Sequence, residues 1–129
     1  MVVDDEPDLV ELVAFNLKAE GYEVITASTG VEALNQARSA LPDLIVLDLM
    51  LPELDGLAVC EILHRLPSTA LIPIIMVTAW SSENSRVIGL ETGAEDYMTK
   101  PFSPRELVLR VRNMLRAYAE KAAGLGGTV

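Results

Sequence analysis

Three acids, one lysine and one threonine stand where short apolar runs of the chain end. The acids are Asp4, Asp5 and Asp48, the lysine is Lys100, and the hydroxyl belongs to Thr78. Clustered carboxylates repel one another unless a cation neutralises them, and Mg²⁺ (or Mn²⁺) prefers such oxygen ligands. A carboxylate can also attack phosphorus and form an aspartyl phosphate. If these residues meet, Asp48 could accept a phosphoryl group whose charge Lys100 and Thr78 would stabilise.

The elements between these residues predict a sheet that would bring them to one edge. Predicted strands cover 2–3, 23–27, 44–47, 74–77 and 96–99, and predicted helices cover 8–20, 31–40, 57–66, 82–92 and 103–122. Apolar strands that alternate with helices favour a doubly wound α/β fold, a five-stranded parallel sheet with helices on both faces. In the flavodoxin-like strand order 2-1-3-4-5, the first and third strands are neighbours where the order reverses, and ligands bind there. That order would bring Asp4, Asp5 and Asp48 into one cleft.

Composition limits the class of protein. The chain has 129 residues, which suits one domain, and half of them are apolar. The formal net charge of −9 is a poor match for nucleic-acid phosphates, so this segment itself is not expected to bind DNA. The single cysteine, Cys60, suits a reducing compartment. Because the sequence has no signal-peptide pattern and no apolar run long enough for a bilayer, we expect a soluble, cytoplasmic protein without membrane contact.

Five short motifs carry a resemblance to a known family over almost the whole chain. They are Val2-Val3-Asp4-Asp5-Glu6, the run 43–52 (DLIVLDLMLP), Asp55-Gly56, Val77-Thr78-Ala79 and Lys100-Pro101-Phe102. Each motif alone is weak, but in this order and spacing they resemble the receiver domains of two-component response regulators. The resemblance implies a CheY-like fold and a regulatory domain that takes part in phosphorelay signalling, not a turnover enzyme. It also implies a sensor histidine kinase as the donor of the phosphoryl group.

The resemblance implies specific ligands for the metal ion. The carboxylates of Asp4, Asp5 and Asp48 would bind Mg²⁺ together with the backbone carbonyl of Met50. Asp48 would then be the phosphoacceptor. Water would later attack the acyl phosphate, so the signal would decay.

Further residues around the site would sense the phosphoryl group. Lys100 would pair with its charge, and the Lys100–Pro101 peptide bond would be cis. Thr78 would hydrogen-bond a phosphoryl oxygen and move inward, and the ring of Tyr97 would swing inward behind it. The alternative for Tyr97 is an ordinary half-buried sheet residue. Trp80 could shield the phosphoryl group, or it could be a partly exposed loop aromatic.

The segments 89–97 and 102–107 resemble the branch of the family whose output is a winged-helix DNA-binding domain. DNA would then be bound only through an output domain absent from this chain. In that branch, the face formed by the predicted helix 82–92, the strand 96–99 and the last helix makes a two-fold homodimer after phosphorylation. Matching positions would supply cross-dimer ion pairs, Arg86 with Glu106 and Asp96 with Arg110, around the apolar residues Val87, Leu90 and Leu109. These ion pairs could instead be an ordinary solvated surface.

The domain boundaries and the chemistry leave alternatives open. Residues 1–122 would form the receiver domain and 123–129 the start of a linker or a disordered tail, and the first strand is two or three residues shorter than is usual in the family. A stand-alone or degenerate receiver could act by protein docking alone. A phosphohydrolase would need a second acid two residues after its nucleophile, where Met50 stands. A flavin-binding domain would place its phosphate loop after the first strand, whereas the loop-like segment 26–30 follows the second.

Overall fold

Strands and helices alternate along the residues that the computed structural model describes, which are 1–79, 91 and 93–122. The strands are β1 (Val2–Val3), β2 (Thr26–Ala27), β3 (Ile45–Asp48), β4 (Ile74–Thr78) and β5 (Asp96–Thr99). The helices are α1 (Pro7–Ala19), α2 (Gly30–Ala40), α3 (Gly56–Arg65) and α4 (Pro104–Ala122). Except for Glu91, the predicted helix over 82–92 falls outside the described residues, as does the predicted tail over 123–129. None of the described helices is long and apolar enough to cross a membrane.

All five strands pair in parallel, in the order β2-β1-β3-β4-β5. The fold and the strand order predicted from the sequence are therefore confirmed. Val3 of β1 lies opposite Leu47 of β3, and Asp48 of β3 lies opposite Val77 of β4. The order reverses between β1 and β3, so the carboxyl ends of these two strands border a cleft.

Helices cover both faces of the sheet, which explains why its strands are apolar on both sides. Alternate strand residues point to opposite faces. Ile45, Leu47 and Met76 are fully buried in one cluster with side chains of α2 and α3. Val46 and Ile75 lie in the other cluster, with side chains of α1 and α4. This two-sided core fixes the positions of the strand ends at the cleft.

Side-chain caps start three of the described helices at defined residues. Thr29 caps α2 and Asp55 caps α3, each by accepting a backbone N–H of the first turn. Ser103 caps α4 by accepting the N–H of Glu106 at 3.4 Å. The caps of α2 and α3 end the loops after β2 and β3, so both loops stay at the carboxyl edge of the sheet.

The predicted boundaries of the described elements agree with the structure within one residue, except for the second strand. The prediction covers 23–27, whereas β2 contains only Thr26–Ala27. Among the described residues, β2 is an edge strand that pairs with β1 alone, and β1 has two residues. The ladder therefore ends after Val2 with Thr26 and Val3 with Ala27. Ile25 still accepts the backbone N–H of Val2 at 2.8 Å, but residues 23–25 do not continue the strand.

Candidate functional site

Three carboxylates meet at the carboxyl ends of β1 and β3. Asp4 directly follows β1, Asp5 is the next residue, and Asp48 is the last residue of β3. One carboxylate oxygen from each lies within 4.8 Å of the other two. Asp4 and Asp48 are buried, at 5% and 4% exposed, whereas Asp5 is open to solvent. The structure thus brings together the three acids that the strand order was expected to place in one cleft.

This group of oxygens fits a hard divalent cation such as Mg²⁺. Two ligands on opposite sides of an octahedral Mg²⁺ lie about 4.2 Å apart, because each bond is about 2.1 Å long. The three carboxylate oxygens lie within 4.8 Å of one another, which is close to that span. Their negative charges repel one another until a cation neutralises them. Asp4, Asp5 and Asp48 would hold the ion, and the exposed side at Asp5 suits an ion that keeps several waters.

The loop after β3 holds the Asp48 carboxylate in place. The backbone N–H of Met50 donates to Oδ1 of Asp48 at 3.1 Å, and the Met50 side chain is 52% exposed. The N–H of Gly56 closes the loop onto the carbonyl of Leu49 at 2.8 Å. A Cβ at Gly56 would overlap the backbone oxygen of Asp48, so only glycine permits this close approach. Glu53, within the loop, has a left-handed φ of 68°.

Lys100 brings a positive charge to the same group of acids. Its Nζ lies 2.8 Å from Oδ2 of Asp4, 3.2 Å from Oδ2 of Asp48 and 3.2 Å from Oε1 of Glu6. The lysine side chain is only 13% exposed. The backbone N–H of Lys100 donates to the carbonyl of Thr78 at 2.7 Å, which anchors the residue at the end of β4. The ammonium is therefore positioned by the backbone as well as by three carboxylates.

Burial and neighbouring charges shift the pKa values of Asp48 and Lys100. Burial is the largest influence on Asp48. Together with the charge of Asp4 it raises the pKa of Asp48 to about 6, although the Met50 N–H and Lys100 oppose the shift. Burial alone would lower the pKa of Lys100, but the hydrogen bond to Asp4 and the charge of Asp48 outweigh it and raise that pKa. Lys100 therefore stays charged, whereas the metal-free Asp48 titrates nearer to neutral pH than an ordinary aspartate.

Thr78 and Tyr97 lie on neighbouring strands behind the acids. Thr78 ends β4 and is fully buried. Tyr97 lies in β5 opposite Met76, is 8% exposed, and belongs to the cluster that packs against α2 and α3. Tyr97 is thus a buried residue of the sheet in this structure. The Lys100–Pro101 peptide bond that follows β5 is cis, as the resemblance implies.

Four of the residues expected at a dimer face lie on β5 and α4. Arg110 binds two acids of its own chain, with Nη1 2.8 Å from Oδ1 of Asp96 and Nη2 2.9 Å from Oε1 of Glu106. Leu109, next to Arg110, is 42% exposed. The other expected dimer-face residues, and the loop tryptophan, lie outside the described residues: Arg86, Val87, Leu90 and Trp80.

Glu6 belongs to the site, although its place in the sequence predicts no role for it. Its carboxylate shares Lys100 with Asp4 and Asp48. The only sequence feature that could have indicated a role for Glu6 is its position in the run of acidic residues that follows β1. That signal is weak, because an acid in front of a helix commonly interacts with the helix dipole. Only the side-chain geometry shows that Glu6 reaches Lys100.

Comparisons with known proteins identify relatives over nearly the whole chain. The family model described as the response regulator receiver domain matches residues 1–112. The alkaline phosphatase synthesis transcriptional regulatory protein PhoP of Bacillus subtilis (strain 168) is 55% identical over 116 residues. The phosphate regulon transcriptional regulatory protein PhoB of Rhizobium meliloti (strain 1021) is 50% identical over 115 residues. These matches cover 90% and 89% of this chain but 48% and 51% of the relatives, so the chain spans about half their length.

Solved structures agree with the family match. The Francisella response regulator 1452 receiver domain has a TM-score of 0.85 at 32% identity, and the match covers 91% of this chain and 95% of that one. A CheY-like response regulator receiver domain protein from Methanospirillum hungatei JF-1 has a TM-score of 0.86 at 31% identity, covering 93% and 94%. Because motifs, strand order and the match over residues 1–112 agree, this chain belongs to the response regulator receiver domain family.

Proposed function

We propose that this receiver domain accepts a phosphoryl group on Asp48 with the help of a divalent cation, and that the modified domain switches a surface read by its partners. The observation that carries the proposal is that Asp48 has two kinds of neighbour: it contacts the Lys100 ammonium, and it shares a group of carboxylates with Asp4 and Asp5. A structural cation site needs only the acids, and a structural ion pair needs only the lysine. Both together around one buried carboxylate favour phosphoryl transfer.

The proposed reaction is an in-line transfer from a phosphohistidine. A carboxylate oxygen of Asp48 attacks phosphorus, a P–O bond forms, and the bond from phosphorus to the imidazole nitrogen breaks on the opposite side. Mg²⁺ or Mn²⁺ would supply charge that neutralises the phosphoryl oxygens. Lys100 adds its charge from the end of β5, and the Met50 N–H orients the carboxylate. Water later attacks the acyl phosphate, which releases inorganic phosphate and restores the Asp48 carboxylate.

The proposed switch runs from the site through Thr78 and Tyr97 to the surface of β5 and α4. A phosphoryl group that hydrogen-bonds Thr78 would favour the state in which the Tyr97 ring is buried. Phosphorylation shifts the balance only as far as it prefers that state. We propose that the switched surface, with Leu109 and Arg110, forms a homodimer. DNA would be contacted only through a winged-helix output domain outside this chain.

The outer side of α1 is the surface that we propose a sensor histidine kinase uses. Phe15 is 71% exposed and Leu12 is 47% exposed. A cleft of about 540 Å³ runs along α1 and joins Phe15 to Asp4 and Asp5. Exposed apolar side chains beside a reactive group are typical of a docking surface. A donor seated on them would present its phosphohistidine to the acids.

We propose a phosphoacceptor regulatory role and no general phosphohydrolase activity. A phosphohydrolase needs a proton donor for the leaving group. The thioether of Met50 cannot donate a proton, and it is the 52% exposed side chain two residues after Asp48. The single phosphorylation and slow hydrolysis expected here need no such donor.

The proposal is tested by labelling with a radioactive small phosphodonor in Mg²⁺. Asp48→Asn should abolish the label. Asp43→Asn is the matched control, because Asp43 precedes the same strand at its opposite end and is exposed. Equal labelling of the Asp48→Asn variant and the unchanged chain would overturn the proposal.

A further inference from the structure

Glu6 makes a contact that its place in the fold does not require. It precedes α1, but its side chain does not cap the helix. Its carboxylate instead extends to Lys100, with Oε1 3.2 Å from Nζ, and links two residues 94 positions apart. The side chain of Glu6 is 62% exposed, against 13% for Lys100. The contact therefore covers the solvent side of a nearly buried ammonium group.

The three acids around Lys100 differ in what else they can bind. An ammonium group has three N–H donors, and here three carboxylates surround it: Asp4, Asp48 and Glu6. Asp4 and Asp48 also belong to the group of oxygens that fits a cation, whereas Glu6 does not. A cation that draws Asp4 toward itself would weaken the 2.8 Å contact of Asp4 with Lys100. One N–H would then become available for a phosphoryl oxygen.

We propose that Glu6 is a positioning residue that keeps the Lys100 ammonium beside Asp48 while a cation draws Asp4 away and a phosphoryl oxygen takes the place of Asp4 as a partner of the ammonium. Glu6 forms no bond to the phosphoryl group and does not compete with it, because the ammonium has three donors. The exchange at Lys100 is thus a change of one partner, with Glu6 retained throughout. This inference rests on the proposed function of Asp48, but its first test does not require phosphorylation.

The first test uses the metal-free chain. The Lys100 ammonium should give an NMR signal with slow proton exchange, because it is nearly buried and contacts three acceptors. Glu6→Ala should speed that exchange by about two- to fivefold, the size expected for a partly exposed ion pair. Glu6→Gln, which keeps an acceptor without the charge, should lie between. Unchanged exchange in Glu6→Ala would overturn the inference.

The second test measures phosphorylation by acetyl phosphate at saturating Mg²⁺. Glu6→Ala should lower the maximal rate by about two- to fivefold. Glu11→Gln is the matched control, since it removes a charge from an exposed acid of α1 for which no contact with Lys100 is seen among the described residues. The Mg²⁺ dissociation constant should change no more in Glu6→Gln than in Glu11→Gln.

The two tests separate failure of the inference from failure of the proposed function. If the unchanged chain is labelled and Glu6→Ala is labelled at the same maximal rate, the positioning role is wrong and the function of Asp48 stands. If the unchanged chain accepts no label, the proposed function fails, and the part of the inference that concerns the phosphoryl oxygen fails with it. The metal-free measurement then still shows whether Glu6 holds the ammonium.

Discussion

Asp48 and Lys100 lie 3.2 Å apart, carboxylate oxygen to ammonium nitrogen, although they are 52 positions apart in the chain and the whole of β4 lies between them. Because β4 lies between β3 and β5, Lys100 has to reach across the end of β4. The hydrogen bond from the backbone N–H of Lys100 to the carbonyl of Thr78 fixes the backbone from which the lysine side chain extends. The charge beside Asp48 therefore depends on the alignment of three strand ends, and a shift of any of them would alter it.

Asp48→Asn should stabilise the metal-free protein at neutral pH. The folded-state pKa of Asp48 is raised to about 6 from 3.8, so between these values the folded state binds more protons than the unfolded state. The contribution of Asp48 to the free energy of unfolding therefore falls as the pH rises from about 4 to about 6, and the cost of its buried charge is complete above about pH 6. Asparagine has no such cost, so we expect a gain on the order of 1–3 kcal/mol at pH 8.

Urea unfolding in EDTA at pH 8 and at pH 4 measures this gain. The difference in the free energy of unfolding between Asp48→Asn and the unchanged chain should be largest at pH 8. It should become smaller at pH 4, where Asp48 is protonated. Mg²⁺ should also reduce it, since the cation stabilises the unchanged chain more. An Asp48→Asn variant that is no more stable than the unchanged chain at pH 8 would contradict the assigned cost of burial.

Asp5→Asn should weaken Mg²⁺ binding with little effect on the metal-free fold. Asp5 is exposed, so its loss should change the metal-free free energy of unfolding by no more than about 0.5 kcal/mol. We expect Mg²⁺ affinity to fall about tenfold or more, because each 1.4 kcal/mol of lost ligand interaction is a factor of ten. Calorimetric titration gives the affinity. Asp8→Asn is the control, and equal affinities of the two variants would argue against Asp5 as a ligand.

Phe15→Ala should slow transfer from a kinase and leave transfer from acetyl phosphate unchanged. The ring is 71% exposed, so its removal costs the fold little, but it would take away the main apolar anchor of the proposed docking surface. The measured quantity is the rate of label transfer from a phosphorylated sensor kinase, with a loss of about tenfold expected. Leu71→Ala is a control, since Leu71 is 86% exposed and follows α3. A loss with both donors would indicate damage to the site instead.

Glu53→Gly should stabilise the loop after β3. A left-handed conformation costs a residue with a side chain roughly 1–2 kcal/mol, and Glu53 has φ of 68°. Glycine removes that cost but gives the unfolded chain about 0.4–1 kcal/mol of extra freedom. The expected net gain is about 0.5–1 kcal/mol in the free energy of unfolding, measured with urea. Glu53→Ala keeps the unfavourable φ, so a similar gain in both variants would point to the charge as the cause.

The fold and the acid cluster could be predicted because they follow from strand order. Asp4 and Asp48 are fixed to the ends of β1 and β3, and a parallel sheet brings neighbouring carboxyl ends together whatever the details of packing. The extent of β2 was not predictable in the same way. Val24 and Ile25 favour a strand locally, but only Thr26 and Ala27 pair with β1 residues in the ladder.

Contacts made by long side chains were harder to predict than the positions of strand ends. Glu6 and Lys100 meet because of the particular side-chain conformations at two loops, which periodicity and motifs do not specify. Arg110 and Asp96 were expected to pair across a dimer, and within one chain they already pair with each other. The sequence indicates which charged residues share a surface, but it does not determine which of several acids a flexible lysine or arginine side chain will bind.

Arg110 already binds two carboxylates of its own chain. These contacts limit the free energy that dimerisation through the surface around Arg110 can gain from new ion pairs. A guanidinium engaged by Asp96 and Glu106 must release one of them before it takes a carboxylate from another copy. The number of ion pairs that Arg110 makes would then stay constant when two copies meet, so the Arg110 contacts should add little to the dependence of the dimer dissociation constant on ionic strength. The driving force would come from dehydration of apolar side chains such as Leu109, which is 42% exposed. Association driven in this way shows a negative heat-capacity change.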